Sequence, residues 1–300
     1  MTTVVGLAPD ERGVAAVHLA AMLARSVETD VVLTTVVPRP WPPDPNRIDE
    51  EYLALREAAA EEAQERAAAE IGAAASLSRV IRRARSVSSG LLEVAAERAA
   101  TLVVLGSSAG GLLGSVALGG IAQRVLHSSE TPVALTPKGF APQVAARVSR
   151  VTVAFGRADG DSDLLLEAAS AAERAGASLR VACFAVRPPT SLAGTAEGAE
   201  DLVVNEWARH LEGDVSRALR SYDARSPATG TVATRANLVV GQGTSWADAI
   251  SDVSWTDGDV LVVGTTSSPV SRFFLGSHAS KIVRTAPVPV FLMPRSIPLP

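Results

Sequence analysis

Two stretches far apart in the chain repeat each other, and that duplication limits the possible folds more than any other feature. Leu102-Val103-Val104-Leu105-Gly106-Ser107-Ser108 reappears as Leu261-Val262-Val263-Gly264-Thr265-Thr266. Each copy leads into a loop of small residues, a Leu-Gly pair (Leu118-Gly119, Leu275-Gly276) and a helical stretch. Each then closes on an apolar run bracketed by prolines, Pro132 to Pro137 and Pro289 to Pro294. The openings match as well, Val4-Val5-Gly6-Leu7 against Thr152-Val153-Ala154-Phe155. The offset grows from 148 (Val4 to Thr152) to 158 (Gly106 to Gly264) and 157 (Pro132 to Pro289). A repeat of that length is a tandem pair of domain-sized units, not a solenoid of short repeats. The boundary falls between Gly139 and Arg150, giving units 1–140 and 148–300.

Within each unit strand and helix patterns alternate. In the first, strands are expected at Thr3–Leu7, Asp30–Val37, Val80–Val87, Thr101–Leu105 and Val133–Thr136. Helices are expected at Val14–Ser26 (capped by Asp10), Asp49–Ala75, Leu91–Ala100 and Ile121–Ser128. In the second, strands are expected at Val151–Phe155, Ser178–Val186, Thr231–Val240, Val260–Val263 and Val288–Met293. Its helices are expected at Ser162–Ala175, Glu200–Ser221, Trp246–Ser254 and Ala279–Thr285. Strands joined by crossover helices make a parallel sheet covered on both faces, and the unbroken apolar runs VVLTTVV and LVVL suit such burial. The fold class is α/β, twice.

Composition removes several functions. Lys and Arg number 28 against 32 Asp and Glu, a formal charge of −4, so no basic excess exists to neutralise a nucleic-acid backbone. Aromatic residues are 4%, and Cys183 is the single cysteine, so neither stacking arrays nor an intrachain disulfide is expected. No His/Cys cluster has zinc spacing. The uncharged stretch Ala99–Gln123 is long enough to cross a bilayer, but it contains six glycines and three serines and reads as strand, loop and helix. With no signal-like start, the chain reads as cytoplasmic. His18, His127, His210 and His278 sit on predicted helices without a partner at nucleophile–base spacing, so no catalytic residue is expected. Cys183 lies in an apolar strand and reads as a small buried hydrophobe.

Ligands of open parallel sheets bind beyond the carboxyl ends of the strands, so the loops after the first, second and fourth strands of each unit matter most. The fourth-strand loops run from Gly106 to Gly120 and from Gly264 to Ser277. Small residues let backbone N–H groups approach an anion, and the helix that follows adds the positive end of its dipole. Glycines that only shape a tight turn would look the same. Neither loop is a P-loop, and neither fits G-x-G-x-x-G. Arg272 could reach a phosphate or simply face solvent.

Five strands per unit, the Gly/Ser loop, the Leu-Gly pair before a helix and the closing Pro-Val strand resemble the universal stress protein family in its tandem form. The resemblance covers both halves of the chain. It implies two five-stranded parallel units of strand order 3-2-1-4-5 with the topology of adenine-nucleotide α-hydrolases. It also implies a motif G-x2-G-x9-G-[S/T] whose amides and final hydroxyl hold ATP phosphates in nucleotide-binding members. Gly106 and Gly119 match it in the first unit, but Ala109 and Gly120 replace the second glycine and the hydroxyl. Gly264, Gly276 and Ser277 match in the second, with Ser267 at the second glycine and an interval one residue short. The family's nucleotide-anchoring Asp after the first strand is replaced by Ala8 and by Gly156.

The resemblance therefore implies a non-catalytic stress-response or regulatory module with a degenerate nucleotide site. The alternative is an ATP- or AMP-binding switch, or slow ATPase, using the C-terminal unit. Any ATP or AMP would bind weakly in the second unit. Phosphates would lie on Gly264, Thr265, Ser267, Ser268, Gly276 and Ser277, and the base near Phe155, Gly156 and Val186, with Gly106 and Gly119 as remnants in the first. The family's last strand pairs with that of a partner domain, so the two units are expected to form an intramolecular pseudo-dimer. A further homodimer or a protein partner is possible, but no nucleic acid and no membrane.

Overall fold

The computed structural model describes residues 1–10, 13–39, 47–156, 161–186, 199–225, 236–268 and 271–294. In the first unit β1 (Thr2–Gly6), α1 (Val14–Ser26), β2 (Asp30–Pro38), α2 (Arg47–Ile71), β3 (Ser76–Ala84), α3 (Val87–Glu97), β4 (Leu102–Leu105), α4 (Gly120–Ser128) and β5 (Val133–Leu135) follow one another. The second unit repeats the order with β6 (Arg150–Ala154), α5 (Asp161–Ala175), β7 (Ser178–Val186), α6 (Ala199–Arg225), β8 (Asn237–Gly243), α7 (Trp246–Ser251), β9 (Asp259–Ser268), α8 (Ser277–Thr285) and β11 (Val290–Pro294). It adds one strand, β10 (Ser271–Phe274).

All the strands join one sheet, ordered β3-β2-β1-β4-β5-β11-β9-β6-β7-β8, with β10 paired to β9 off this path. Each unit has the expected 3-2-1-4-5 order with parallel pairing, β10 alone running antiparallel to β9. The units meet where β5 and β11 pair antiparallel, Leu135 opposite Val290, Ala134 opposite Phe291 and Val133 opposite Leu292. Their strands therefore point in opposite directions, and their carboxyl-end loops lie at opposite edges of the sheet. The closing strands, short and flanked by proline, are central rather than edge strands because each is covered by the other.

Alternate residues of each strand serve opposite faces. Val5, Val31, Leu33 and Val104 join a core with α1, α2, α5 and α6. Val4, Val32 and Val103 join a second core with α3, α4, α7 and α8. Burial on both faces explains why these strands are apolar throughout rather than alternating. Ala99–Gln123 forms the end of the α3–β4 turn, β4, a loop and the start of α4, and no helix among the described residues is long and apolar enough to cross a membrane.

Several boundaries differ from the sequence reading. The third strand lies four residues earlier than expected, because Ser86 and Ser89 form a reciprocal capping box that starts α3 at Val87. Position 13, not Asp10, is the N-cap of α1; it is Gly13 and makes no side-chain cap bond. The basic residues of β3 suit an edge strand: Arg82 pairs with Glu97, and Arg83 with Glu57 at 2.7 Å. These partners hold both carboxyls below the usual range. The second unit's third strand, expected at Thr231–Val240, is observed as β8 from Asn237, and residues 226–235 lie outside the described residues. The linker is laid along α1: His18 Nδ1 donates to the Phe140 carbonyl at 2.9 Å, Arg25 Nε to Ala146 at 2.9 Å, and the Val148 amide to Ser26 Oγ at 2.7 Å.

A buried ion cluster ties together the starts of three strands in the second unit. Arg150 makes a two-pronged contact with Asp259, at 2.8 and 2.6 Å. Asp259 also accepts from the Thr256 amide at 3.0 Å. Arg180, 2% exposed, donates to Thr152 Oγ1 and to the Ser254 carbonyl, and lies 4.6 Å from the Trp255 ring centroid. Burial above all, and then Arg150, lower the Arg180 pKa to about 10, with Asp259 opposing. Two guanidiniums thus share one wholly buried carboxylate. Removing one member of a buried pair costs about 3–5 kcal/mol, because it strands the remaining charge. Asp259→Asn should lower the urea midpoint accordingly, and adding Arg180→Met to it should restore part of the loss; a wild-type midpoint for Asp259→Asn would show that the cluster holds nothing.

Candidate functional site

The carboxyl ends of β6, β7 and β9 in the second unit surround a cleft of about 480 Å3. Phe155, Gly156, Val186, Gly264, Gly276 and Ser277 all line it, so the structure brings these expected positions together. Phe155 is buried, its amide bonded to the Ala182 carbonyl at 2.9 Å. Gly156 and Ser277 are exposed at the mouth. Gly276 is the N-cap of α8 and supplies no side-chain cap, which leaves the first amides of the helix for a ligand or water.

The expected phosphate loop is different. The chain does not turn after Gly264: β9 continues to Ser268, paired with β11 as far as Thr265 and with β10 from Thr266. Thr265 is fully buried and donates to the Met293 carbonyl at 3.2 Å. Thr265, Ser267 and Ser268 therefore belong to a strand, not to an open cradle. The interval one residue shorter than the family motif is used as a hairpin, and the β10 backbone lies against α4 of the first unit. Of the anion-binding elements expected here, the helix terminus is formed and the loop is not.

One wall of the cleft was missed by sequence reasoning. Phe184, Trp246 and His278 form an aromatic side, with Trp246 and His278 ring centroids 5.2 Å apart and Phe184 and Trp246 6.5 Å apart. Sheet register and helix starts match these with Val36, Val87 and Ile121 in the first unit, three aliphatic side chains. That paired comparison was available in the sequence, but only after the two units had been aligned residue by residue.

Trp246 is placed by backbone. It opens α7 after a capping box in which Ser245 Oγ accepts from the Asp248 amide, while Thr244 Oγ1 and the Ser245 amide donate to Asp248 Oδ2. Those donors, Thr244 first, hold the Asp248 carboxyl below its ordinary range. The helix lies so close to β8 that a Cβ on Gly241 would overlap the Ala249 carbonyl oxygen, and one on Gly243 would lie 2.5 Å from the Ala249 amide nitrogen. Glycine is required at both positions by this close approach.

The corresponding region of the first unit is closed by its own bonds. Gly106 follows β4 and Gly119 caps α4, as the motif implies. Between them the loop folds on itself. The Ala117 amide donates to Ser107 Oγ at 2.6 Å, the Ser108 amide to the Ala117 carbonyl at 3.0 Å, and the Gly114 amide to Lys138 at 2.9 Å. Lys138 Nζ donates to the Ala109 and Gly111 carbonyls. Gly119 approaches Ser108 so closely that a Cβ would lie 2.8 Å from the Ser108 Cβ. The amides of Ser108, Gly111, Gly114, Ser115 and Ala117 are thus used within the loop and its contact with Lys138, whereas α4, like α8, starts at an N-cap glycine without a side-chain cap.

The profile of the universal stress protein family matches residues 1–137 and 148–294, which together make up most of the chain and correspond to the two units. The chain belongs to the universal stress protein family. Universal stress proteins of Mycobacterium tuberculosis and Mycobacterium bovis are each 36% identical to it over 301 residues, covering 98% of this chain and all of theirs. Among solved structures, a universal stress protein from Archaeoglobus fulgidus DSM 4304 superposes with a TM-score of 0.63 at 16% identity, covering 98% of both chains. One from Pseudomonas aeruginosa UCBPP-PA14 gives 0.55 at 17%, covering 98% of this chain and 92% of its own. At such identities the structural likeness concerns the fold.

If backbone contact with α7 positions the aromatic wall, Gly241→Ala should cost about 1–3 kcal/mol and shift the tryptophan emission. Gly213→Ala, at an exposed helical position with open space around it, should instead stabilise by about 0.5–1 kcal/mol. Equal midpoints for the two variants in urea denaturation would contradict this placement.

Proposed function

We propose that this universal stress protein is a non-catalytic stress-response module that binds an adenine nucleotide, ATP or AMP, weakly and in the second unit only. The observation that carries the reading is the contrast between the units. In the second, a helix N-terminus without a side-chain cap and an aromatic wall open into one cleft; in the first, α4 also lacks a side-chain cap, but the wall positions are aliphatic and the loop before the helix is closed by its own amide bonds. The family resemblance supplies the ligand class, and the residues present fit it in part. Phe184 and Trp246 suit a purine face. The first turn of α8, with the Ser277 hydroxyl, suits a phosphate through its amides and its dipole. The strand course of Thr265–Ser268 does not suit a second phosphate contact.

Affinity follows from what is missing. Gly156 stands where nucleotide-binding members carry an anchoring Asp, and a hydrogen bond to a charged group contributes about 1.5–3 kcal/mol, so binding should be about ten- to a hundredfold weaker than with that carboxylate. Stacking of a base on an aromatic ring contributes about 1–3 kcal/mol, which places more of the affinity on the base than the motif alone implies.

Calorimetry of the full chain with ATP and AMP tests this reading. Trp246→Ala should weaken binding by about 1–3 kcal/mol, Ser277→Ala by about 0.5–1.5 kcal/mol, and Gly120→Ser should change little. Unchanged affinity in both Trp246→Ala and Ser277→Ala, or steady turnover of ATP, would overturn it.

A further inference from the structure

A second cavity, of about 630 Å3, lies on the sheet face that carries α1 and α5, at the junction of the two units. It exists because of how each unit covers its own strands. α1 packs on β1, β2 and β4, and α5 on β6, β7 and β9, while neither makes comparable contact with β5 or β11. The junction strands are therefore left without a helix above them on this face. Phe291 and Met293 form part of the floor, Leu23 and Val27 one wall, and Ala168 and Ala171 the other. The facing side of α5 presents alanines too short to fill the space. Polar groups stand among the lining residues as well, Glu130, Glu167 and Arg174.

We infer that this cavity takes the aliphatic chain of a small amphiphile, with the polar head left among the charged residues. Its volume lies within the range of about 300–1,000 Å3 typical of small-molecule sites, which favour domain junctions and an apolar lining with few polar groups. A protein partner needs about 800 Å2 of surface on each side, and a concave recess between two helices is a poor platform for that. A polyphosphate would find almost no donors inside. Charges of both signs among the lining residues make the chain, not the charge of the head, the main source of affinity. The site is separate from the nucleotide cleft and shares none of its lining residues.

The test is a titration of the full chain with octanoate, decanoate and dodecanoate, and with the matching alcohols, each kept below its micelle concentration. Burial of each methylene at about 0.8 kcal/mol predicts that affinity rises about fourfold per added carbon until the cavity is full. Ala171→Trp, which fills the space, should weaken dodecanoate or dodecanol binding at least tenfold without lowering the melting temperature. Ala171→Leu should give a smaller loss, which keeps the test usable if the larger side chain disturbs folding. Trp246→Ala should leave chain binding within twofold of wild type. A preference for acid over alcohol, or the reverse, identifies the head group and supports the site in either case. The inference is overturned if no chain binds, if affinity does not depend on chain length, if Ala171→Trp has no effect, or if Trp246→Ala abolishes binding. It is also overturned if the face proves to be a dimer contact, with Ala171→Trp producing monomers and no chain binding.

Discussion

Three pairs of residues in antiparallel register, Val133 to Leu135 against Leu292 to Val290, hold this molecule together as one sheet. All but Phe291 of those six residues are fully or almost fully buried. A short strand of three residues would be a poor sheet edge, with unpaired amides and an apolar face inviting uncontrolled pairing. Duplication solves this within a single chain, since each unit provides the cover for the other. The pairing also fixes the geometry of everything else. It reverses the strand direction between the units, sends their ligand-side loops to opposite edges, and leaves uncovered the strip of sheet at which the second cavity forms.

The units are joined at their last strands, and their two loop regions take different forms. The first has become a self-contained turn in which Ser107, Ser108 and Lys138 satisfy the backbone. The second has become a hairpin beside an open cleft. The same ancestral loop has thus been spent in one unit on local stability and in the other on reach: β10 lies against α4 of the first unit, so the second unit's loop strand crosses the junction. Internally bonded amides lower the cost of an unliganded loop, whereas the helix ends of both α4 and α8, without a side-chain cap, keep that cost in place.

Much of this was legible in the sequence. The duplication, the strand order implied by the family resemblance and the helix of Val14–Ser26 correspond to the structure because they rest on long apolar runs and on periodicity. The position of β3 was harder, since Arg79, Arg82 and Arg83 break the apolar pattern, and a Ser-Ser capping box is a weak signal beside a hydrophobic run. The extension of β9 into a hairpin was hidden by its Thr and Ser content, which reads as loop. The aromatic wall was out of reach for another reason: Phe184, Trp246 and His278 come from three separate elements, and only the approach of α7 to β8 through Gly241 and Gly243 brings them together.

Duplication left one open cleft, which we propose takes a nucleotide, and one loop closed on itself. Amide hydrogen exchange of the full chain with and without saturating ATP addresses this most directly, because it reports both loops in one experiment. Slower exchange in the first turn of α8, from Ser277 to Ser280, and at the start of α7, with no change between Gly106 and Gly120, is the predicted result. Protection by ATP between Gly106 and Gly120, with none at α8, would contradict the account.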